Sequence, residues 1–516
     1  MTIANALLAR GYFPRELPPA FTTAQFAAVA AASPLPRLFS LETQCASHSS
    51  ARPGSLRRPL KIPNPLSHLV LAETVERVWA DLVAHFGRAG LSASRPLVRR
   101  SILDRAVVPR LKQSQLALLR IQKRVGARYF IRTDIGQFYP SLYTHSVPWA
   151  LHTKTYAKAH RKGTIGADLD IALRKQQWGQ TVGIPIGPDA SLVVAEAVLT
   201  AVDIAMEKQF KKLVGFRYVD DYELCLRNLR EAEQALADLQ GALAEYELVL
   251  NPRKTTIEEG PAPVDASWVC QLRQATFRDR PRARLNDTVD FINRALQLAV
   301  EHPTEAVLRY ALERTKTIAL EGTGKRTLHA LVLGVAVCEP STLPVALGLL
   351  YQEELAGRSP AKDDLAQTFD SIIERHAPLA HGSEVAWCLW GALRFGVRLS
   401  LRSAKKLFLM TDDVVALLTL QARVAGLLPA SAVDLELWTE IVARPDALRE
   451  EHWLLSYEAV TRGWLGTDAA LHADPFFGVL ANAGVRFFDD SQVASAPAFS
   501  GAAAAVPGGT LHFDYF

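Results

Sequence analysis

Gly215-Phe216-Arg217-Tyr218-Val219-Asp220-Asp221-Tyr222-Glu223-Leu224-Cys225-Leu226 is a pair of short apolar, aromatic-rich runs with two adjacent aspartates between them. The pattern predicts a β-hairpin whose tight turn carries two carboxylates at a strand edge. Hard divalent cations take oxygen ligands, and Mg²⁺ is commonly held by one or two carboxylates together with substrate phosphates. Taken alone, Asp220 and Asp221 are more simply the solvated acids of an ordinary turn. The order of the segments around them gives the pair its meaning.

Upstream, Tyr129-Phe130-Ile131-Arg132-Thr133-Asp134 is a β-rich run ending in an acid, followed by turn residues at Gly136 and Pro140. An unpaired charge at the end of a buried strand is costly, so Asp134 calls for a cation or a basic partner. Arg132 could serve, or Asp134 could cap a following helix. Next, Gln180-Thr181-Val182-Gly183-Ile184-Pro185-Ile186-Gly187-Pro188-Asp189-Ala190-Ser191 is a loop punctuated by Gly and Pro. It opens a long apolar helix over 191–210, with Asp189 or Ser191 as the expected N-cap. Glycines in such a loop let a backbone approach a ligand closely. After the hairpin, a helix over 229–245 leads to a short strand, Leu248-Val249-Leu250, a turn, and Lys254. Beside a metal–phosphate site a lysine can steady pyrophosphate or donate a proton to it. Elsewhere it is a surface lysine.

Asp134, the Gly-Pro loop with its helix, Asp220-Asp221 and Lys254, in that order, resemble motifs A to D of the reverse-transcriptase palm. The resemblance implies an α+β fold, with fingers and palm followed by an all-α, helical-repeat-like C-terminal domain. It implies two Mg²⁺ ions held by Asp134 and Asp220, with Asp221 as their neighbour, and Lys254 as a catalytic group. It also implies dNTPs as substrates, with Tyr139 crowding a 2′-hydroxyl, and Arg58, Lys61, Pro185 and Gly187 as nucleotide-binding residues. The family loop reads Pro-Gln-Gly, whereas this chain has Pro185-Ile186-Gly187. That departure points away from ordinary templated copying. Gly11-Tyr12-Phe13-Pro14-Arg15-Glu16-Leu17-Pro18-Pro19-Ala20-Phe21 and Arg57-Arg58-Pro59-Leu60-Lys61-Ile62-Pro63-Asn64-Pro65 look like the N-terminal signatures of abortive-infection reverse transcriptases of the AbiK-like group. By that resemblance the chain is an antiphage polymerase that makes single-stranded DNA without a template. The product grows from a tyrosine of the protein and stays covalently attached, and the protein is a homo-oligomer. Tyr12, Tyr156 and Tyr515 are the candidate priming residues. A templated, retron-like enzyme and an inactive palm kept as a nucleic-acid scaffold are the alternatives.

The chain has 516 residues, 49% hydrophobic and 22% charged, as expected of a globular protein of two or more domains. No apolar run is long enough to predict a membrane span. The start shows no basic-then-apolar signal segment. Five scattered cysteines without CxxC spacing predict reduced thiols, no zinc site and a cytoplasmic location. No Ser/His/Asp or Cys/His spacing suggests a hydrolase. The net charge of +5 is uneven: residues 52–132 hold 17 Lys and Arg against 4 Asp and Glu. Such a stripe attracts phosphate backbones, or else is a solvated helix face, above all over 110–132.

Helices are predicted over 67–86 and 109–125, with residues 33–65 as loop. Residues 1–270 are assigned to fingers and palm. From about 286, apolar-periodic segments of helical length recur, which predicts an all-helical, HEAT-like domain over 271–499. Residues 500–516 form an Ala/Gly/Pro-rich tail ending in aromatics.

Overall fold

The computed structural model describes residues 2–494 apart from 34, 39, 100, 102, 103, 319 and 321. Its strands are β1 (Ala46–Ala51), β2 (Arg57–Ile62), β3 (Pro96–Val98), β4 (Val107–Pro109), β5 (Tyr129–Asp134), β6 (Val214–Tyr218), β7 (Asp221–Leu226) and β8 (Thr256–Glu259). The described residues divide into two compact units. The first comprises 2–14, 23–45 and 61–264; the second comprises 15–22, 46–60 and 265–494. No described helix is long and apolar enough to cross a membrane.

The first unit is built on a four-stranded antiparallel sheet in the order β6-β7-β5-β8. Val, Phe, Tyr, Ile and Leu suit its half-buried pleat. The predicted hairpin is β6–β7, with only Val219 and Asp220 between the paired Tyr218 and Asp221. β5 is central, and its last residue, Asp134, lies directly opposite Asp221. The Leu229–Ala244 helix packs across β5 and β7. The Asn228 side chain caps it by accepting from the Glu231 N–H, and it buries Ala232, Ala235, Leu239 and Leu243 at helical spacing. The predicted strand at 248–250 is only an extended segment joined to the end of β5. The strand proper, β8, follows the Lys254 turn.

The long helix runs Asp189–Gln209 and is almost wholly buried. Its N-cap is Pro188, and neither Asp189 nor Ser191 caps it. Asp189 instead accepts from Arg105 and from the Val107 N–H at 3.0 Å. The Ser191 hydroxyl donates back to the Pro185 carbonyl at 2.6 Å. Both side chains are drawn to partners that are remote in sequence or in the preceding loop, so local cap preference loses.

The region expected to be loop, 33–65, holds the β1–β2 hairpin. The helix expected over 67–86 is two, Pro65–Arg77 and Trp79–Phe86, because the backbone leaves helical geometry at Val78. Only Leu116–Lys123 is α-helical in 109–125, since Pro109 ends a strand paired to Pro96.

The second unit is mostly helical, but not from the C-terminal stretch alone. Residues 46–60 belong to it, and β1 packs on the Gly382–Phe395 helix. Ala51 N–H donates to the Ser383 hydroxyl at 2.8 Å. The Lys362–His376 helix packs on Gly382–Phe395, that helix on Asp413–Val424, and that one on Trp453–Thr461. Trp387, Trp390, Trp438 and Trp453 are buried among them. The tail over 500–516, with Tyr515, lies outside the described residues.

Gly187 has φ of +129°, and a Cβ there would meet Pro14 Cγ at 2.5 Å. Gly187→Ala is therefore expected to destabilise the protein by about 1–3 kcal/mol, read as a lower urea midpoint with unchanged slope.

Candidate active site

The turn between β6 and β7 is strained and pinned. Val219 has φ of +54°, a conformation that β-branched residues rarely adopt. Its N–H donates to the buried Ser94 hydroxyl at 2.8 Å, and its carbonyl accepts from Arg217 Nη1 at 3.0 Å. Such a conformation costs on the order of 1–3 kcal/mol and persists only where its surroundings over-determine it.

Those surroundings centre on Arg217. Its guanidinium is fully buried between two carboxylates of the long helix, Glu196 at 3.0 Å and Asp203 at 2.7 Å. The Tyr222 hydroxyl, on β7, donates to Asp203 as well, at 3.0 Å. Burial opposes the Arg217 charge, but Asp203 and Glu196 hold its pKa well above the usual value. Burial pushes the Asp203 carboxyl up to about 6, against the pull of Arg217. The main chain of Arg217 pairs on the sheet edge with Leu91 and Ala93, which brings Ser94 beneath the turn.

Sequence reading missed this network. Its available signal was two acids seven residues apart on one face of an otherwise apolar helix.

At the turn three acids converge. Asp134 is buried, and its Oδ2 accepts from Lys254 Nζ at 2.6 Å. Its Oδ1 is buried without a hydrogen-bond partner. Lys254, rather than Arg132, is thus the basic partner; Arg132 turns to Glu223, Glu258 and the Pro263 carbonyl. Burial would lower the Lys254 pKa, but the hydrogen bond and charge of Asp134, with Asp221 and Asp220, raise it. Asp221 is more exposed than Asp134, which it faces from β7. Desolvation, Asp220 and Asp134 raise its carboxyl to about 7, against Lys254 and Arg120. Like charges facing each other across a ladder are destabilising. The orphaned Oδ1 of Asp134 and the crowding of three carboxylates fit a cation-binding donor set of hard oxygens.

The Gly-Pro loop docks on the segment after Asp134. Gly183 N–H donates to Leu142, and Ile184 N–H to the Tyr139 carbonyl at 2.9 Å. Phe138 is core, while Tyr139 is half-buried. Lys61 N–H donates to the Ile186 carbonyl at 2.9 Å, so Lys61, Pro185, Gly187 and Tyr139 share one neighbourhood. Arg58 is half-exposed on β2 and belongs to the second unit. Tyr12 is fully buried, and its hydroxyl donates to the Pro63 carbonyl. Tyr156 is 46% exposed and stacks on His160. Much of the basic stripe is used internally: Arg120, Arg124 and Arg132 converge on the buried Glu223, and Arg128 pairs with Glu259.

Residues 88–279 match the family described as "Reverse transcriptase (RNA-dependent DNA polymerase)". This region is a reverse-transcriptase domain. No curated protein matches the chain. Among solved structures, apo telomerase from Candida tropicalis is 13% identical over 75% of this chain and 69% of its own, with a TM-score of 0.30. Telomerase from Candida albicans with a fragment of telomeric RNA is 12% identical over 69% and 65%, with a TM-score of 0.31. Likenesses this faint carry no argument.

Arg217→Met leaves two carboxylates buried without their cation and is expected to destabilise by about 3–5 kcal/mol, measured by urea unfolding. The raised carboxyl of Asp221 gives a second test. A raised acid favours the fold below its unfolded pKa near 3.8, and that contribution is lost as pH rises to about 7. In EDTA, Asp221→Asn should raise Tm most at pH 8 and by a smaller amount at pH 5.

Proposed function

We propose that the reverse-transcriptase domain is a Mg²⁺-dependent DNA polymerase and that Asp134, Asp220 and Asp221 are its metal-binding acids. The observation that carries this is the buried, unpartnered Oδ1 of Asp134 opposite Asp221 on the adjoining strand. Two bound Mg²⁺ ions supply activation of the attacking hydroxyl and neutralisation of the leaving pyrophosphate. Asp134 and the turn acids hold their oxygens at the ends of paired strands, a rigid base for in-line positioning. Lys254 neutralises Asp134. With a cation held by the acids, its ammonium would serve to steady the pyrophosphate or protonate it. Tyr139, on the loop-docking segment, crowds a ribose 2′-hydroxyl and selects dNTPs. Lys61, Pro185 and Gly187 frame the nucleotide beside it.

The finer reading is untemplated, protein-primed synthesis in antiphage defence, as the AbiK-like signatures suggest, with the helical unit as a repeat-like scaffold for self-assembly. Ile186 supports it, because an apolar side chain stands where the family's amide would contact the templating pair. Of the described tyrosines proposed for priming, Tyr156 has the exposure the role needs, whereas Tyr12 is sealed in the core. The family description, RNA-dependent, favours a second reading, templated copying.

Purified protein with Mg²⁺ and labelled dNTPs, but no template or primer, is expected to yield label that migrates with the protein and collapses on nuclease digestion. Asp220→Asn should abolish it, and Lys254→Ala should slow it on the order of 10²–10⁴-fold. Loss of protein-linked label in Tyr156→Phe, with extension of an added primer retained, would identify the priming residue. Label that appears only with a primer-template would establish the templated reading.

A further inference from the structure

The second unit gathers two imidazoles and a carboxylate at one helix junction. His376 ends the Lys362–His376 helix, and the short Ala377–Leu379 turn follows. His381 then precedes the Gly382–Phe395 helix, whose first turn carries Glu384. His376 Nδ1 and His381 Nδ1 are 2.9 Å apart, and each is 3.5 Å from Glu384 Oε1. Ligands of a tetrahedral centre with bonds of about 2.0–2.1 Å stand roughly 3.3 Å from one another. The three donor atoms form a triangle of about that size.

We propose that His376, His381 and Glu384 bind one divalent transition-metal ion of the zinc type, with a fourth position left for water. Two histidines and one glutamate are a known zinc donor set. Imidazole nitrogens are poor partners for Mg²⁺, so the site is chemically distinct from the acids of the palm.

Arg57 is the competing cation. Its guanidinium contacts both oxygens of Glu384, with Nη2 to Oε2 at 3.0 Å. A carboxylate has about four acceptor positions, so a guanidinium and a metal can share it. Ligating carboxylates are themselves usually hydrogen-bonded from behind. The Ser383 hydroxyl also donates to Oε2, at 3.0 Å. Asp412, paired with His48, lies against Gly382 and adds negative charge at the same junction. An ion here joins two consecutive helices and, through Arg57, residues 46–60 of the same unit. Its role is to brace the helical unit, independent of the polymerase reading.

The test is zinc titration of the full-length protein by calorimetry and thermal melting, in excess Mg²⁺. Wild type should take up a single Zn²⁺ per chain and melt higher with it. Asp220→Asn should bind zinc like wild type, since the palm acids play no part. His381→Ala and His381→Gln, each checked for intact helicity by circular dichroism, should bind at least tenfold more weakly. Absence of zinc uptake by wild type would overturn the proposal, leaving a hydrogen-bonded histidine pair braced by Arg57. So would unchanged zinc binding in both folded His381 variants.

Discussion

The β6–β7 turn depends on one buried cation. Arg217 reaches from β6 into the body of the long helix and is neutralised there by Glu196 and Asp203. Its guanidinium also takes up the Val219 carbonyl. A buried charge triad is rarely the cheapest way to stabilise a core, and apolar residues of similar volume often serve as well. What it offers is direction. The guanidinium fork has fixed geometry, so it locks the hairpin to the helix at one register and one twist. With Ser94 holding the other side of Val219, the aspartates are presented from a backbone that would otherwise relax. Strain at the turn and its restraint are thus two parts of one device.

The acids themselves show the opposite economy. Asp134 and Asp221 face each other across the ladder, and Asp220 stands beside them. Desolvation and this repulsion together raise the Asp221 carboxyl, and Lys254 only partly offsets them. A protein selected for stability alone would not place three carboxylates there. Their arrangement makes sense if a divalent cation completes it. Metal-free stability and cation affinity then trade against each other at the same atoms.

Charge elsewhere is less free than the composition suggests. The arginines of the Leu116–Lys123 helix look from sequence like a phosphate-binding stripe. Arg120 and Arg124, with Arg132 of β5, surround Glu223 and the carbonyls of residues 262–264. They fasten the segment after β8 to the sheet. An excess of basic residues in a sequence window does not reveal how many are already paired.

The sequence determined the sheet and its acids because both are local patterns. Alternation and turn residues fix the β6–β7 hairpin within a dozen positions, and Asp134, Lys254 and the Gly-Pro loop sit at its expected neighbours. The succession of helices after residue 281 follows from apolar spacing in the same way. Several features were not local. Asp189 and Ser191 gave up the cap for Arg105 and the Pro185 carbonyl. The β1–β2 hairpin formed in a Ser- and Arg-rich stretch because Ser383 and Glu384, more than three hundred residues away, receive its Ala51 N–H and its Arg57. The partners of Arg217, the pairing of Lys254 with Asp134 and the meeting of His376 and His381 with Glu384 also arise only on folding. Periodicity and turn chemistry act within a few residues and can be read from the chain. Which buried charge meets which is settled by the cost of leaving any of them alone, and that cost exists only once the core has closed.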